Sequence, residues 1–150
     1  MADTVTIKEV GPRDGLQSQP VHLTVEARLK LVAALIDARL PEIEVGSFVS
    51  PKAVPQMAGT DEIADILPSV DLEFSALVTN MKGYELAVKA DIRCHAIALA
   101  ATEEMNQNNI RKSLEDTFTM GEEILDRALD DGVAIHCLLY TSDAADDTRS

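Results

Sequence analysis

Cysteine is scarce in this sequence. The two residues, Cys94 and Cys137, show no metal or redox spacing, so neither a disulfide scaffold nor a zinc site is indicated. Long apolar runs are also missing. The longest candidate, residues 29–40, is broken by Lys30, Asp37 and Arg39. It falls short of the roughly 20 residues that cross a bilayer, so no membrane partner is expected. Basic residues are outnumbered, 13 Lys and Arg against 26 Asp and Glu, for a formal charge of −13. Nucleic acid is therefore not an expected partner, because phosphate binding needs clustered cations. An anionic small molecule is not excluded by net charge, since steering depends on the local field. The first residues carry no charged-then-apolar signal segment and no Arg-rich presequence, and a cytoplasmic location is the expectation.

What is present is a chain of 150 residues, 46% apolar and 26% charged, enough for one domain with a real core. Its elements alternate. Residues 5–10 alternate as a strand and lead into a Gly/Pro loop over 11–22. Thr24 then stands as an N-cap with Glu26 in the first turn of a helix. That helix shows an apolar face of Leu29, Val32, Leu35 and Ile36 and is ended by Pro41. A second strand over 42–48 precedes a short helix capped by Thr60, with Ile63, Ile66 and Leu67 facing inward. Residues 72–78 form a third strand, 80–89 a third helix and 93–100 a fourth, nearly continuously apolar strand. Ser113 with Asp116 forms a capping box for a helix over 114–129, and Val133 opens a fifth strand.

Four βα units with no hairpin signal between strands predict a parallel α/β sheet with right-handed crossovers. Pattern alone leaves two architectures open, an open doubly wound sheet and a (β/α)₈ barrel. Gly11 and Gly15 do not make the dinucleotide-binding Gly-x-Gly-x-x-Gly. A complete barrel needs about 250 residues, and this chain holds half the required units.

From Cys137 onward the text changes to small and acidic residues without a helical period. The run 137–150 reads as translated sequencing-adapter DNA. The expected organisation is a partial catalytic domain over 1–136 followed by a non-native tail over 137–150.

The chemistry concentrates just past the first strand. Arg13 can hydrogen-bond an oxygen that gains negative charge, and Asp14 suits a hard divalent cation such as Mg²⁺ or Mn²⁺. The same spacing also describes a surface turn with an Arg–Asp pair. The octet Val10-Gly11-Pro12-Arg13-Asp14-Gly15-Leu16-Gln17 resembles the first-strand signature of hydroxymethylglutaryl-CoA lyases. Three further blocks agree in order: residues 43–57, residues 79–85, and residues 100–103 with Asn109 and Ile110. Relatives commonly carry Ser where Thr102 stands, and a bulky aromatic where Ala53 stands.

The resemblance implies the N-terminal half of a (β/α)₈ TIM barrel, four βα units plus the start of strand five. It implies a divalent metal cofactor, an acyl-CoA substrate and a homo-oligomeric parent protein. It also implies retro-aldol cleavage of 3-hydroxy-3-methylglutaryl-CoA to acetyl-CoA and acetoacetate. Asp14 would be a metal ligand, Arg13 the stabiliser of the enolate-like oxygen, and Glu44 a catalytic carboxylate. Gln17, Ser47, Asn80 and Thr102 would line the substrate pocket. The family completes its site with a late His-x-His pair and a Cys-bearing Gly-rich loop, neither of which occurs here. The 150-residue chain alone is accordingly expected to be inactive. Its open sheet edges are expected to make it self-associate. A related condensing synthase and a non-catalytic acyl-CoA or metal-binding module are the alternatives.

Overall fold

The computed structural model describes residues 4–140, apart from the side chains of Asn109 and Ile110. Five parallel strands form one sheet in the order of the chain: β1 (Lys8–Glu9), β2 (Glu42–Phe48), β3 (Glu73–Val78), β4 (Cys94–Ala100) and β5 (Ala134–Tyr140). A doubly wound sheet reverses its strand order at a switch point, whereas a barrel adds each strand beside the last. The uninterrupted order settles the choice that sequence pattern left open. The chain forms half of a TIM barrel.

Helices α1 (Val25–Asp37), α2 (Thr60–Ala64), α3 (Met81–Lys89), α4 (Glu103–Ile110) and α5 (Leu114–Asp131) connect the strands. The core lies between helices and sheet, built from Val32, Ile43, Val45, Ile63, Ala76, Val78, Tyr84, Ile97, Ile124 and Ala128. The opposite, concave face of the sheet is the wall of the barrel interior.

Several elements differ from the sequence expectation. Strand β1 is only two residues long. Its first partner, Glu42, follows Pro41, which has no N–H for a ladder, so Val5 and Ile7 find no neighbour and stay exposed. Helix α1 stops at Asp37, before Pro41, and Arg39 turns the chain with φ 59°. Thr60 is not a cap. Gly59, at φ 74°, takes that position, and Thr60 turns inward to donate to the Met57 carbonyl at 2.8 Å. Since α2 ends at Ala64, its period does not reach Ile66, which is 62% exposed.

Helix α4 lacks an apolar face and was not expected. It forms because Thr102 caps it and because the buried Asn106 amide donates to the Lys112 and Ser113 carbonyls, tying it to α5. Strand β5 continues past His136 to Tyr140, pairing with β4 along its length. Residues 141–150, the remainder of the run set apart on sequence grounds, lie outside the described residues.

One buried cation organises the loop after β2. Arg28 of α1 is 1% exposed, and its guanidinium donates to the Ala58 carbonyl at 2.8 Å, the Val45 carbonyl at 3.3 Å and Thr60 Oγ1 at 3.2 Å. Burial lowers its pKa, yet backbone oxygens replace enough of the lost water to hold the charge. Gly46 makes room for this fork, because a Cβ there would approach Arg28 Nη2 to 2.7 Å.

Two outcomes follow from this packing. A Cβ at Gly83 would collide with the Phe48 carbonyl oxygen, backbone that cannot swing aside. Gly83→Ala should therefore cost about 1–3 kcal/mol in urea unfolding; an unchanged midpoint would show that α3 does not pack this closely on β2. The described sheet also leaves an edge at β1 and another at β5, beside Leu129 at 81% and Leu139 at 59% exposure. Sedimentation of the purified chain should reveal oligomers. A monomer with one cooperative melting transition would contradict this.

Candidate active site

The loop after β1 makes a single π-type turn, Gly11–Gly15. The Asp14 amide returns to the Val10 carbonyl at 2.7 Å, while Pro12 sits early in the turn, where no amide is needed. The Glu9 carboxylate accepts from the Gly11 amide at 2.6 Å and steadies the entry. This winding drives Arg13 inward, to 4% exposure, and leaves the Asp14 side chain 57% exposed at the strand end.

Arg13 Nε donates to Glu44 Oε1 and Arg13 Nη1 donates to Asp14 Oδ1 at 2.7 Å. Glu44, on β2, is fully buried. Its second oxygen lies 3.8 Å from Lys8 Nζ and accepts no hydrogen bond among the described residues. Two cations thus flank a buried carboxylate, and Nη2 of Arg13 has no hydrogen-bond partner among the described residues. That free edge is a donor suited to an oxygen that acquires charge during a reaction.

The remaining predicted residues occupy the same C-terminal rim without bonding to this triad. Gln17 is half-buried just after the turn. Ser47 is buried, and its hydroxyl has no partner among the described residues. Its orientation depends on a β-bulge in β2. Glu44 pairs with Ser75 while Gly46 pairs with Ala76, so Val45 is the extra residue. Ile43, Val45 and Phe48 all join the helix-side core, and the bulge returns Ser47 to the face that Glu44 occupies. Strict alternation would have put an even and an odd residue on opposite faces.

Asn80 and Thr102 follow β3 and β4 and both cap helices. Asn80 Oδ1 accepts from the Gly83 amide at 2.9 Å, and Thr102 Oγ1 accepts from the Met105 amide at 3.3 Å. The capping explains why these residue types stand there, whatever else they do. Cys94 is buried as expected, and burial followed by its hydrogen bond to Glu73 pushes the thiol up to about 12. It is no nucleophile. His95 is buried too, edge-on to Tyr84 at 5.1 Å, with Nε2 bonded to the Ile92 carbonyl at 2.9 Å. Sequence reasoning missed Lys8, whose bonding partners are 36 and 128 positions away.

The parallel half barrel thus carries a buried Arg–carboxylate pair and an exposed Asp at its C-terminal strand ends, the rim at which the class of (β/α)₈ barrel enzymes holds its reacting groups. The sequence pattern described as HMGL-like matches residues 4–148, and the chain belongs to that family. It is 47% identical over 115 residues to the hydroxymethylglutaryl-CoA lyase of Pseudomonas mevalonii, covering 76% of this chain and 38% of that protein. It is 42% identical over 127 residues to the (R)-citramalyl-CoA lyase of Chloroflexus aurantiacus, covering 77% and 40%. The crystal structure of hydroxymethylglutaryl-CoA lyase from Pseudomonas aeruginosa superposes with a TM-score of 0.86 at 39% identity, over 90% of this chain and 45% of that one. The chain thus spans about two fifths of the length of the curated relatives it matches.

Removing one member of the buried pair strands the other. Glu44→Ala should lower the unfolding free energy by about 3–5 kcal/mol, and Glu44→Gln by less, because its amide oxygen still accepts from Arg13. Equal urea midpoints for wild type and Glu44→Ala would show that the pair does not support the fold.

Proposed function

We propose that this chain supplies the front half of a metal-dependent acyl-CoA carbon–carbon lyase. The reaction we assign is cleavage of 3-hydroxy-3-methylglutaryl-CoA to acetyl-CoA and acetoacetate. The observation that carries the reading is the Arg13 guanidinium, held by Glu44 and Asp14 with one edge free at the strand ends.

Loss of the proton from the 3-hydroxyl lets the C–C bond break, giving acetoacetate and the enolate of acetyl-CoA, which is then protonated. Arg13 is preorganised for this step: its partners fix the guanidinium before substrate arrives, and its free edge meets the developing negative charge. Glu44 is a positioning carboxylate in this scheme, since Arg13 covers one oxygen and Lys8 approaches the other. Gln17, Ser47, Asn80 and Thr102 are assigned to hydrogen-bond the substrate. Ser47 is the best placed, with a buried hydroxyl and no internal partner among the described residues.

Asp14 fits a hard divalent ion, Mg²⁺ or Mn²⁺, because it offers an exposed oxygen donor at the rim. Bound there, such an ion would supply Lewis-acid polarisation of substrate oxygens. One carboxylate among the described residues holds it weakly, so the chain on its own is assigned no turnover. The parent enzyme is read as a cytoplasmic homo-oligomer. A second reading, cleavage of citramalyl-CoA, is favoured by the 42% identity to the lyase for that substrate.

The test is a chimera joining residues 1–136 to the remainder of the Pseudomonas mevalonii barrel. It should cleave hydroxymethylglutaryl-CoA, and the 150-residue chain should not. Arg13→Met in the chimera should lower kcat by about 10²–10³-fold with a smaller effect on KM. Turnover of citramalyl-CoA alone would select the second reading. A folded chimera inactive on both, or one condensing acetyl-CoA with a 2-oxo acid, would overturn the proposal.

A further inference from the structure

At the other end of the strands the concave face carries a second group of side chains that the proposed chemistry does not use. Glu73 opens β3, Cys94 opens β4, and His136 projects from β5 beside Ala96. Cys94 Sγ lies 3.7 Å from His136 Nδ1 and 3.9 Å from Nε2, and Nε2 lies 3.9 Å from Glu73 Oε1. One ligand atom from each residue falls within 4.8 Å of the others. Tetrahedral zinc, at about 2.3 Å from sulfur and about 2.0–2.2 Å from nitrogen or oxygen, separates its ligand atoms by roughly 3.4–3.6 Å. The three side chains therefore need shifts of no more than about an ångström to close on one ion.

We propose that Glu73, Cys94 and His136 form a site for a borderline divalent transition metal, Zn²⁺ or Co²⁺, separate from the hard-ion position at Asp14. Sulfur and imidazole donors select this class of ion over Mg²⁺. Cys94 is 1% exposed, which shields the metal–sulfur bond from solvent. Glu73 and His136, at 42% and 40% side-chain exposure, leave an approach for the ion and room for a water as fourth ligand. On binding, the Cys94 thiol proton passes to solvent and an Sγ–metal bond forms; no redox change is involved.

Lys8 opposes this occupancy. Its ammonium lies 3.0 Å from His136 Nδ1, as a donor to the unprotonated ring nitrogen. A metal on Nδ1 takes that position, and a metal on Nε2 requires a proton on Nδ1, so either mode moves Lys8 off the ring. An acceptor is already in place: Glu44 Oε2, 3.8 Å from Lys8 Nζ and without a hydrogen-bond partner among the described residues. Filling the site thus transfers Lys8 from His136 to Glu44.

This inference does not depend on the lyase reading and is tested on the chain itself. The exposed second thiol is first silenced as Cys137→Ser, and the reduced, metal-free protein is titrated with Co²⁺. A near-ultraviolet thiolate-to-cobalt charge-transfer band should rise to one equivalent, with the intense visible bands of four-coordinate cobalt. Cys94→Ser should abolish the charge-transfer band, and His136→Gln and Glu73→Gln should each weaken binding tenfold or more. Lys8→Met should tighten it about tenfold by removing a like charge. Far-ultraviolet circular dichroism verifies that each variant is folded. Should a variant fail to fold, the unaltered ligand set gives a second readout: Zn²⁺, but not Mg²⁺, should raise the melting midpoint of the Cys137→Ser protein. No charge-transfer band, a band that survives Cys94→Ser, or no stabilisation by Zn²⁺ would overturn the site.

Discussion

A guanidinium with 4% of its surface exposed stays buried only where fixed acceptors replace its lost water, and for Arg13 the buried carboxylate of Glu44 meets that constraint. Arg13 comes from a turn that has no regular ladder, and Glu44 from a strand fully enclosed by the sheet. The bond between them anchors the irregular segment to the regular one. The π-type turn supports the arrangement by reversing the chain within five residues, and β2 supports it by burying Glu44 at mid-strand. Breaking the pair would leave an uncompensated charge in the wall of the barrel. The tie that positions the candidate site is therefore also a tie that holds the front of the fold together.

Other polar groups do the same work at lower stakes. Arg28 holds the segment after β2 through backbone carbonyls, Asn106 splices α4 to α5, and Asn80 and Thr102 cap the helices that leave the strand ends. Each satisfies orphaned backbone groups that a barrel rim would otherwise expose or bury. The rim residues thus serve two masters. Asn80 and Thr102 cap their helices at the C-terminal ends of β3 and β4, the end of the strands where the loops of a barrel gather. On the concave face, charge runs as a column from His136 through Lys8, Glu44 and Arg13 to Asp14, connecting the two ends of the barrel wall.

Much of this was legible. Local chemistry announces Thr24 and Ser113 as caps, and short apolar runs locate β2, β3 and β4 closely. The octet at 10–17 marked Arg13 and Asp14, and the block after it marked Glu44. The failures have definable causes. Helix α4 has no apolar period to detect, because it is held by one buried amide. Thr60 looks like a cap, but Gly59 can adopt the left-handed conformation and so displaces it. The bulge at Val45 cannot be read from alternation, since alternation assumes that no residue is extra.

By itself, the sequence determined the alternating βα order, the parallel sheet, the family and the residues that make its Arg–carboxylate site. Those depend on local periodicity, turn chemistry and short motifs, each legible within its own stretch of chain, although Arg13 and Glu44 themselves stand 31 positions apart. Only the tertiary structure decided that the strands add in unbroken order, that the bulge puts Ser47 on the face of Glu44, and that Lys8 stands between Glu44 and His136. These depend on which strand edges meet and in what register. The groups involved are separated by as many as 128 positions, a distance over which no local pattern carries information.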